Sequence, residues 1–508
     1  MAPYIMAGVR RVSKALRACF NMADAAPKSE MREVKTVELS GDGLPTIDKK
    51  KERLLVRKLD RYIVPMMMLL YLFSFLDRVN IGNARLYGIE EDLGLTGNQF
   101  QVAVSVLFVT YVLSEVPSNI ILKHYVSPSR WIAFITVSWG LIATLTGLCQ
   151  NYASLLVCRL LLGLVEAGLF PGCAIYLTLF YTKRELALRI GYLFVASALA
   201  GAFGGLLAYG IGHMDGLAGL SGWRWIMIIE GIPTVILGVI CWFFLADDPD
   251  TAYYLSAEEK DMVIARRARQ TGVSETFEWK DVKKAVTDWK AYMFYAGLFC
   301  VDTMLYGYST FLPTIIRGIR PDASSALVQV LTIPCYALGA ITYMAAARYS
   351  DWRQSRGPVA VLFGLISVVG YAMLVSDSGP GVHYGGCFLV AMGLYVVVGI
   401  PIAWLPTNSP RYGKRTTATA LQLAAGNCAG IMAPFLYTTG EAPRYVRGHA
   451  VTMSMVAMGC LLYSSMYFYY ARENRKRASG ERDDLMEGKS EEEVLALGDE
   501  SPRFVFAK

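Results

Sequence analysis

The chain has 508 residues, of which 54% are hydrophobic and only 18% are charged. A soluble chain of this length needs far more charge to cover its surface, so the composition excludes a set of ordinary soluble domains. The net charge of +7 is modest, and no nucleic-acid partner is expected. These numbers indicate a polytopic membrane protein of the all-α class.

Motifs for metal binding and catalysis are missing from the sequence. Nine of the ten cysteines lie inside apolar runs, none forms a CxxC pair, and no Cys/His cluster has the spacing of a metal site. A nucleophile elbow and a phosphate-binding loop are also missing. We therefore expect no metal, no cofactor and no enzymatic activity, and we interpret the cysteines as small packing residues.

The first 21 residues carry basic but no acidic side chains, a pattern that resembles a mitochondrial transit peptide. The alternatives are a cytosolic tail or a start codon placed upstream of the true one. We favour these alternatives because residues 30–51 form an ordinary mixed-charge segment. The basic residues concerned are Arg10, Arg11, Lys14 and Arg17.

Apolar stretches of about 20 residues, the length needed to cross a bilayer, recur twelve times in two sets of six. The predicted spans are Tyr62–Ile81, Gln99–Leu122, Trp131–Leu148, Ser154–Tyr181, Ile190–Gly212, Trp223–Leu245, Trp289–Ile316, Ser325–Ala347, Pro358–Val375, Val382–Leu405, Ala418–Leu436 and Val451–Ala471. They divide the chain into an N-terminal tail (1–61), a first six-helix bundle (62–245), a basic central loop (246–288), a second bundle (289–471) and a tail (472–508). The charged sequence from Glu473 onward is not expected to build a core.

The distribution of Lys and Arg over the short loops predicts the orientation, because cytosolic loops carry the excess of basic residues. With the amino terminus inside, the basic residues of the inner loops outnumber those of the outer loops. The inner set is Lys123, Arg130, Lys183, Arg184, Arg189, Arg348, Arg353, Arg356, Arg411, Lys414 and Arg415; the outer set is Arg85, Arg224, Arg317, Arg320, Arg444 and Arg447. Both termini and the central loop are therefore expected in the cytosol.

Two pairs of charged residues in the predicted spans are the leading candidates, because ionisable groups inside a membrane are costly and usually functional. Asp77 and Arg78 are in the first span, and Arg159 and Glu166 are in the fourth. The spacing of seven places Arg159 and Glu166 on one helix face, about 10 Å apart along the axis. An arginine there needs a carboxylate, which could come from Glu166, from Asp77 or from a substrate.

This arrangement suggests a coupling mechanism. Arginine binds a carboxylate through a planar fork, and a buried carboxyl group can carry a proton. Protonation of Asp77 or Glu166 would free Arg78 or Arg159 to hold an anionic substrate. The alternative is a static buried network that holds the helices together.

Other polar residues inside the spans are weaker candidates. Asp302 and Tyr306 lie one turn apart in the seventh span, and Gln422 and Asn427 in the eleventh could donate amide hydrogen bonds into a cavity. Asp302 is a further candidate for proton coupling, and the others are candidates for substrate binding. Two more carboxylates in the spans, Glu115 and Glu230, are more typical of structural hydrogen bonding.

Several segments carry a resemblance to a known family. They read LDRVNIGNARL (76–86), EVPSN (115–119), RLLLGLVEAGLFPG (159–172), GWRWIMIIEGIPT (222–234) and LGDESPRF (497–504). They resemble the fungal allantoate and nicotinate permease group of the anion:cation symporter family, within the major facilitator superfamily. The resemblance implies two pseudo-symmetric six-helix halves with the substrate bound between them.

The same resemblance implies roles for individual residues. Asp77, Arg78, Arg159 and Glu166 match positions implicated in proton coupling and anion recognition, and Asn427 matches a polar position of the substrate site. The loop RYSDWRQSRG (348–357) resembles a loop of the superfamily that makes charge contacts between the halves. Asp351, Arg353 and Arg356 are therefore expected to act in gating rather than binding.

The leading hypothesis is a monomeric, plasma-membrane symporter that couples protons to the uptake of a small organic anion, such as allantoate or nicotinate. Its partners would be that anion, protons and the lipid bilayer. Efflux of an acidic metabolite or drug is the alternative, although the fifth span lacks the Gly-Pro pattern of drug antiporters. A nutrient sensor is less favoured because the tails are short. The sequence leaves the substrate and the direction of transport open.

Overall fold

The computed structural model describes residues 48–268 and 279–508. The basic leader with Arg10, Arg11, Lys14 and Arg17 lies outside these residues. Within them the regular structure is entirely helical, with α-helices joined by short 3₁₀ turns and loops. The predicted all-α class is therefore confirmed.

The first half and the central segment contain ten of the labelled helices. They are α1 (Lys49–Leu86), α2 (Ile89–Asp92), α3 (Gln99–His124), α4 (Pro128–Thr146), α5 (Tyr152–Glu166), α6 (Leu169–Phe180), α7 (Lys183–Gly212), α8 (Gly222–Phe244), α9 (Ala257–Ala268) and α10 (Trp279–Thr287). The second half contains α11 (Trp289–Ile319), α12 (Ser325–Arg353), α13 (Gly357–Val375), α14 (Pro380–Thr407), α15 (Tyr412–Met432) and α16 (Val446–Ala478), followed by α17 (Glu491–Ala496).

Each predicted span coincides with a long helix or, for the fourth, with the consecutive helices α5 and α6. Among the described residues, ten helical segments are long and apolar enough to cross a membrane. The spans in α4 and α11 fall outside that set, because neither contains a continuous stretch of bilayer length with sufficient mean hydropathy. The protein is a multi-pass membrane protein.

The first span is longer than predicted. Its helix begins at Lys49, where the Asp48 side chain accepts a hydrogen bond from the Lys50 amide at 2.8 Å. The first helix therefore extends into the segment predicted as the N-terminal tail (1–61). The physical reason is an apolar repeat of four that continues Leu55 and Leu59 into the buried face of α1.

The fourth span is broken between α5 and α6, at Ala167 and Gly168. A Cβ atom at position 168 would collide with the Ser118 hydroxyl of α3. One turn earlier, a Cβ atom at Gly163 would collide with the Leu107 carbonyl of the same helix. Glycine at these two positions allows the fourth span to approach α3 at backbone distance, which is typical of membrane helix interfaces.

The two halves meet at the end of the bundle that lies away from the central segment. The Ser105 hydroxyl donates to the Ile431 carbonyl at 2.7 Å, and the Gln329 amide donates to the Asn83 side chain at 3.2 Å. Two further hydrogen bonds cross between the halves at this end: the Ser325 hydroxyl donates to the Leu86 carbonyl at 3.3 Å, and the Arg85 guanidinium donates to the Tyr437 carbonyl at 3.4 Å. The Arg85 guanidinium also joins the two halves at this end. Its carbon is 4.8 Å from the centre of the Phe100 ring in the first half and 5.7 Å from that of Phe311 in the second.

The opposite end carries the central segment and the tail, and each half keeps its own contacts there. Helix α9 is attached to the first half through Arg266, which donates to Glu52 at 2.8 Å and also pairs with Glu185. The tail packs on the second half, where Phe506 and Asp499 are each 3% exposed. The expectation that the residues after Glu473 build no core is therefore wrong. Their few aromatic and acidic residues meet complementary groups at the helix ends, which composition alone does not reveal.

The close contact of α5 with α3 predicts that Gly163→Ala lowers stability. The new methyl group would press on the Leu107 carbonyl, and overpacking of this kind costs roughly 1–3 kcal/mol. The measurement is the melting temperature of the detergent-purified protein. Gly191→Ala is the matched control, because a Cβ atom there has nothing within 4 Å. Equal melting temperatures for the two variants would contradict the prediction.

Candidate functional site

The charged residues of α1 and α5 meet in one ion pair. Arg78 Nε donates to Glu166 Oε1 at 2.9 Å, and the Ser74 hydroxyl donates to the same oxygen at 2.5 Å. The second carboxylate oxygen of Glu166 is buried without a hydrogen-bond partner. Glu166 is fully buried, whereas the Arg78 side chain keeps 12% of its surface exposed. Glu166 is therefore enclosed by the bundle, whereas Arg78 remains partly accessible.

Arg78 also lies against aromatic rings. Its guanidinium carbon is 4.8 Å from the centre of the Tyr111 ring and 5.3 Å from that of Phe75. These ring faces stabilise the cation where water is scarce. The side chain is also within electrostatic range of Tyr306, which belongs to the other half. Arg78 is therefore a first-half cation at the boundary between the halves.

Asp77, the neighbour of Arg78, points elsewhere, because consecutive residues of a helix lie about 100° apart. Its carboxylate accepts a short hydrogen bond from the indole Nε1 of Trp139 on α4. The structure therefore separates Asp77 from the Arg78–Glu166 pair and places it inside the first half. Glu230 of α8 is nearby, and both of its carboxylate oxygens are buried without a hydrogen-bond partner.

Arg159 is buried, and no carboxylate of the described residues lies within ion-pair distance of it. It shares the inner face of α5 with Gly163 and Glu166, as the spacing of these residues predicts, and it is 3% exposed. Its Nε has no hydrogen-bond partner, and no ion pair joins it to another described residue. Asp77 and Glu166 are the carboxylates that act on Arg159 through the electrostatic field. Glu166 pairs instead with Arg78, so the positive charge of Arg159 is not balanced by a carboxylate of the described residues at ion-pair distance.

The second half contributes a polar pair at the boundary. The Tyr306 hydroxyl donates to the Asn427 side-chain oxygen at 2.7 Å, joining α11 to α15. The Tyr306 ring packs edge-on against Phe108 of the first half, with 4.5 Å between centroids. Asn427 lies beside the Glu115 carboxyl of α3. Tyr306 and Asn427 therefore lie together, opposite Arg78.

The remaining second-half candidates lie apart from this boundary. Asp302 is buried against Gly426 of α15, and its Oδ1 has no hydrogen-bond partner. Gln422 is fully buried and donates to the Pro401 carbonyl at 3.2 Å. Both side chains face the interior of the second half, so the structure does not bring them to Arg78.

Two of the predicted gating residues, Asp351 and Arg353, are exposed in this conformation, whereas the Arg356 side chain is only 17% exposed. Asp351 lies in the last turn of α12, and its Oδ1 is 3.9 Å from the guanidinium of Arg356, which follows that helix. Arg353 lies over the exposed Trp352 ring. These charges are paired locally within the second half.

Sequence reasoning missed two residues of the site. Ser74 lies one turn before Arg78, so the helical repeat could have placed it on the same face. Trp139 had no such signal, because only the packing of α4 on α1 brings its indole to Asp77.

Comparison with known proteins identifies the fold and the class. A model of the Major Facilitator Superfamily matches residues 67–434. The chain belongs to the major facilitator superfamily. The helical halves described above are thus those of a membrane transporter of this superfamily, which confirms that the protein is a transporter rather than an enzyme.

Its relatives include several fungal transporters of the superfamily. An uncharacterized transporter of Schizosaccharomyces pombe is 41% identical over 461 residues, which cover 90% of this chain and 91% of the relative. The high-affinity nicotinic acid transporter of Saccharomyces cerevisiae is 32% identical over 457 residues, which cover 89% and 84%. The predicted resemblance to fungal transporters of the superfamily is confirmed.

Solved structures agree on the fold. A bacterial homologue of the human lysosomal transporter Spinster, solved in an inward-facing and unoccupied conformation, has a TM-score of 0.63 and 16% sequence identity. The match covers 81% of this chain and 97% of that structure. This likeness concerns the superfamily fold alone.

The contact of Trp139 with Asp77 predicts that Trp139→Phe lowers stability. The ring packing is largely kept, but the buried Asp77 carboxyl loses its donor, and an unsatisfied buried acceptor costs roughly 1–3 kcal/mol. Thermal unfolding in detergent measures the effect. Trp225→Phe is the control, because its indole donates to a solvent-exposed carbonyl, that of Leu217. A Trp139→Phe melting temperature no lower than that of the control would contradict the assignment.

Proposed function

We propose that the protein is a proton-coupled symporter that takes up a small organic anion bearing a carboxylate, such as nicotinate, allantoate or a related nitrogen compound. The observation that carries this proposal is the buried Arg78–Glu166 ion pair at the boundary between the halves. The 32% identity to a nicotinic acid transporter supports the substrate class.

The pair links the proton to the substrate through competition for Arg78. When Glu166 is ionised, it holds the guanidinium, aided by the hydrogen bond from Ser74. Protonation removes the negative charge and weakens this hold, so the arginine fork becomes available to the carboxylate of the substrate. Loss of the proton restores the internal pair and expels the anion.

The substrate would contact both halves at this place. Arg78 supplies the cation from α1, while Tyr306 and Asn427 supply a hydroxyl and an amide from α11 and α15. A ligand held by both halves senses their relative motion, as expected for binding at the interface of the structural repeats. Asp302 and Gln422, which face the interior of the second half, are then second-half packing groups near the site.

Arg159 adds a second positive charge to the first half. It is buried and has no carboxylate within ion-pair distance among the described residues. A buried cation without a partner is costly. We infer that the anion, on entering, offsets part of this cost, and that Asp77 carries a proton in the same region.

The conformation fits one state of an alternating-access cycle. The halves touch at the end away from the central segment. Because the Lys/Arg distribution predicts that the central segment and both termini are cytosolic, the closed end would face outward. The site would then open to the cytosol, and the protein would lie in the plasma membrane. Asp351, Arg353 and Arg356 would form contacts between the halves in the opposite state.

Uptake of radiolabelled anions by cells expressing the chain tests this function. We expect uptake of at least one small carboxylate at acidic pH, with loss of accumulation on addition of a protonophore. Glu166→Gln removes the ionisable group while keeping its shape, so it should abolish accumulation and preserve exchange of labelled for unlabelled substrate. Glu91→Gln, at an exposed position of the short helix α2, is the control with the same chemical change. Protonophore-resistant uptake at neutral pH would contradict proton coupling, and export without uptake would favour an efflux antiporter.

The role of the second arginine predicts the effect of Arg159→Lys. Lysine keeps the positive charge but loses the fork, so we expect the apparent KM for the anion to rise roughly tenfold, equivalent to about 1.4 kcal/mol. Concentration-dependent uptake measures this change, with the exposed Arg320→Lys as the control. Unchanged KM and kcat would show that Arg159 does not recognise the anion.

A further inference from the structure

Residues 498–508 occupy a well-defined binding site on the second half, at the end that carries the central segment. Asp499 lies between two lysines: Lys414 Nζ is 2.8 Å from each of its carboxylate oxygens, and Lys290 Nζ is 2.6 Å from Oδ2. Asp288 faces the same lysines, 2.6 Å from Lys414 and 3.6 Å from Lys290. Two cations and two anions therefore form one compact cluster, to which the tail contributes one of the anions.

The end of the segment is held by aromatic and backbone contacts. The Phe506 ring stacks on Tyr470, with 4.5 Å between centroids, and the Arg477 guanidinium lies 4.4 Å from its centre. The Ala507 carbonyl accepts from the Trp404 indole at 2.8 Å and from the Asn408 side chain at 3.1 Å. The Asn474 side-chain amide donates to the Phe506 carbonyl, and its oxygen accepts from the Phe506 backbone N–H. The segment is thus bound through its backbone, the Phe506 ring and the Asp499 carboxylate. Peptide ligands bind to protein surfaces through the same kinds of contact.

Charge balance at the cluster depends on this segment. Lys414 and Asp499 are each 3% exposed. Burial opposes ionisation of Asp499, yet Lys290 and Lys414 hold the pKa of its carboxyl below the ordinary value, so it is ionised at neutral pH. Without Asp499, two largely buried lysines would share Asp288 alone, and one buried positive charge would be uncompensated.

The cluster joins the two helices that carry the second-half candidates for the substrate site. Lys290 lies in the first turn of α11, the helix of Tyr306, and Lys414 lies in the first turn of α15, the helix of Asn427. Asp499 thus bridges the beginnings of α11 and α15. The Tyr306–Asn427 hydrogen bond joins the same two helices further along.

We propose that residues 498–508 are an intramolecular peptide ligand whose occupancy of this site positions α11 against α15, and thereby sets how well the transport site binds its anion. Asp499 is the positioning residue, and Phe506 is the aromatic anchor. The site accepts a peptide with an acidic residue followed, seven positions later, by a buried aromatic ring. The transport consequence rests on the proposed function; the peptide site does not.

A binding measurement tests the site by itself. The protein lacking residues 498–508 is purified, and a synthetic peptide with the sequence GDESPRFVFAK is added while the melting temperature is recorded. We expect a saturable rise in melting temperature with this peptide. Peptides that carry Asp499→Asn or Phe506→Ala should bind at least tenfold more weakly, and one that carries Val505→Ala should bind normally, because Val505 is 72% exposed. Equal effects of all the peptides, or no effect of any, would overturn the proposal.

A transport measurement on the full chain tests the positioning role and avoids any folding defect of the shortened protein. Asp499→Asn should raise the apparent KM roughly threefold to tenfold, the range expected when a coupling contact is removed, with kcat changed less. Asp499→Glu should restore most of the affinity. Glu500→Gln is the matched control, because Glu500 is exposed and its one ion pair with a described residue is that with Lys284, at 3.1 Å. Equal kinetics of Asp499→Asn and Glu500→Gln would overturn the positioning role.

The two measurements separate failure of this proposal from failure of the proposed function. If the wild-type chain takes up no organic anion, the symport proposal fails while the peptide result still decides the site. If uptake is normal but the peptides show no selectivity, the symport proposal stands and the tail site fails.

Discussion

The high cost of an unpaired charge in a membrane bundle constrains the whole first half of this protein. Glu166 is fully buried, and its ionised form depends on Arg78 and Ser74, which both come from α1. Glu166 lies on the same face of α5 as Gly163, and glycine at position 163 permits this face to pack closely on α3. The close helix packing and the ion pair are therefore two parts of one arrangement.

The buried groups of the first half are unequal in their partners. Arg78 has a carboxylate, Asp77 has an indole, and Arg159 has neither within hydrogen-bonding distance among the described residues. A purely structural network would be expected to satisfy each member, because partly satisfied buried polar groups are costly. The missing partner of Arg159 is explained if the substrate supplies the carboxylate, which is the basis of the proposed symport.

Charge is handled differently at the end of the bundle that carries the central segment. There each half is tied by its own short accessory segments: α9 on the first half through Arg266, and residues 498–508 on the second through Asp499. These segments bring acidic and basic side chains to helix ends that would otherwise leave charges unpaired. Each half can then move as a unit while the contacts between the halves are exchanged, as rigid-body alternating access requires.

Much of this architecture is determined by the sequence alone. Twelve apolar stretches of bilayer length define the helices, and their division by the polar segment 246–288 defines the two sets of six, because a bilayer accepts few other arrangements of the backbone. The seven-residue spacing also placed Arg159 and Glu166 on one helix face.

The pairing of the buried charges was decided only by the tertiary structure. Four charged residues in two spans allow several combinations, and the sequence left open whether Glu166 serves Arg78 or Arg159. The answer depends on the rotation of α1, which turns Arg78 towards Glu166 and Asp77 towards Trp139. The docking of the tail was hidden for the same reason: Lys290, Lys414 and Asp499 are far apart in the chain, and only the packed helix ends bring them together.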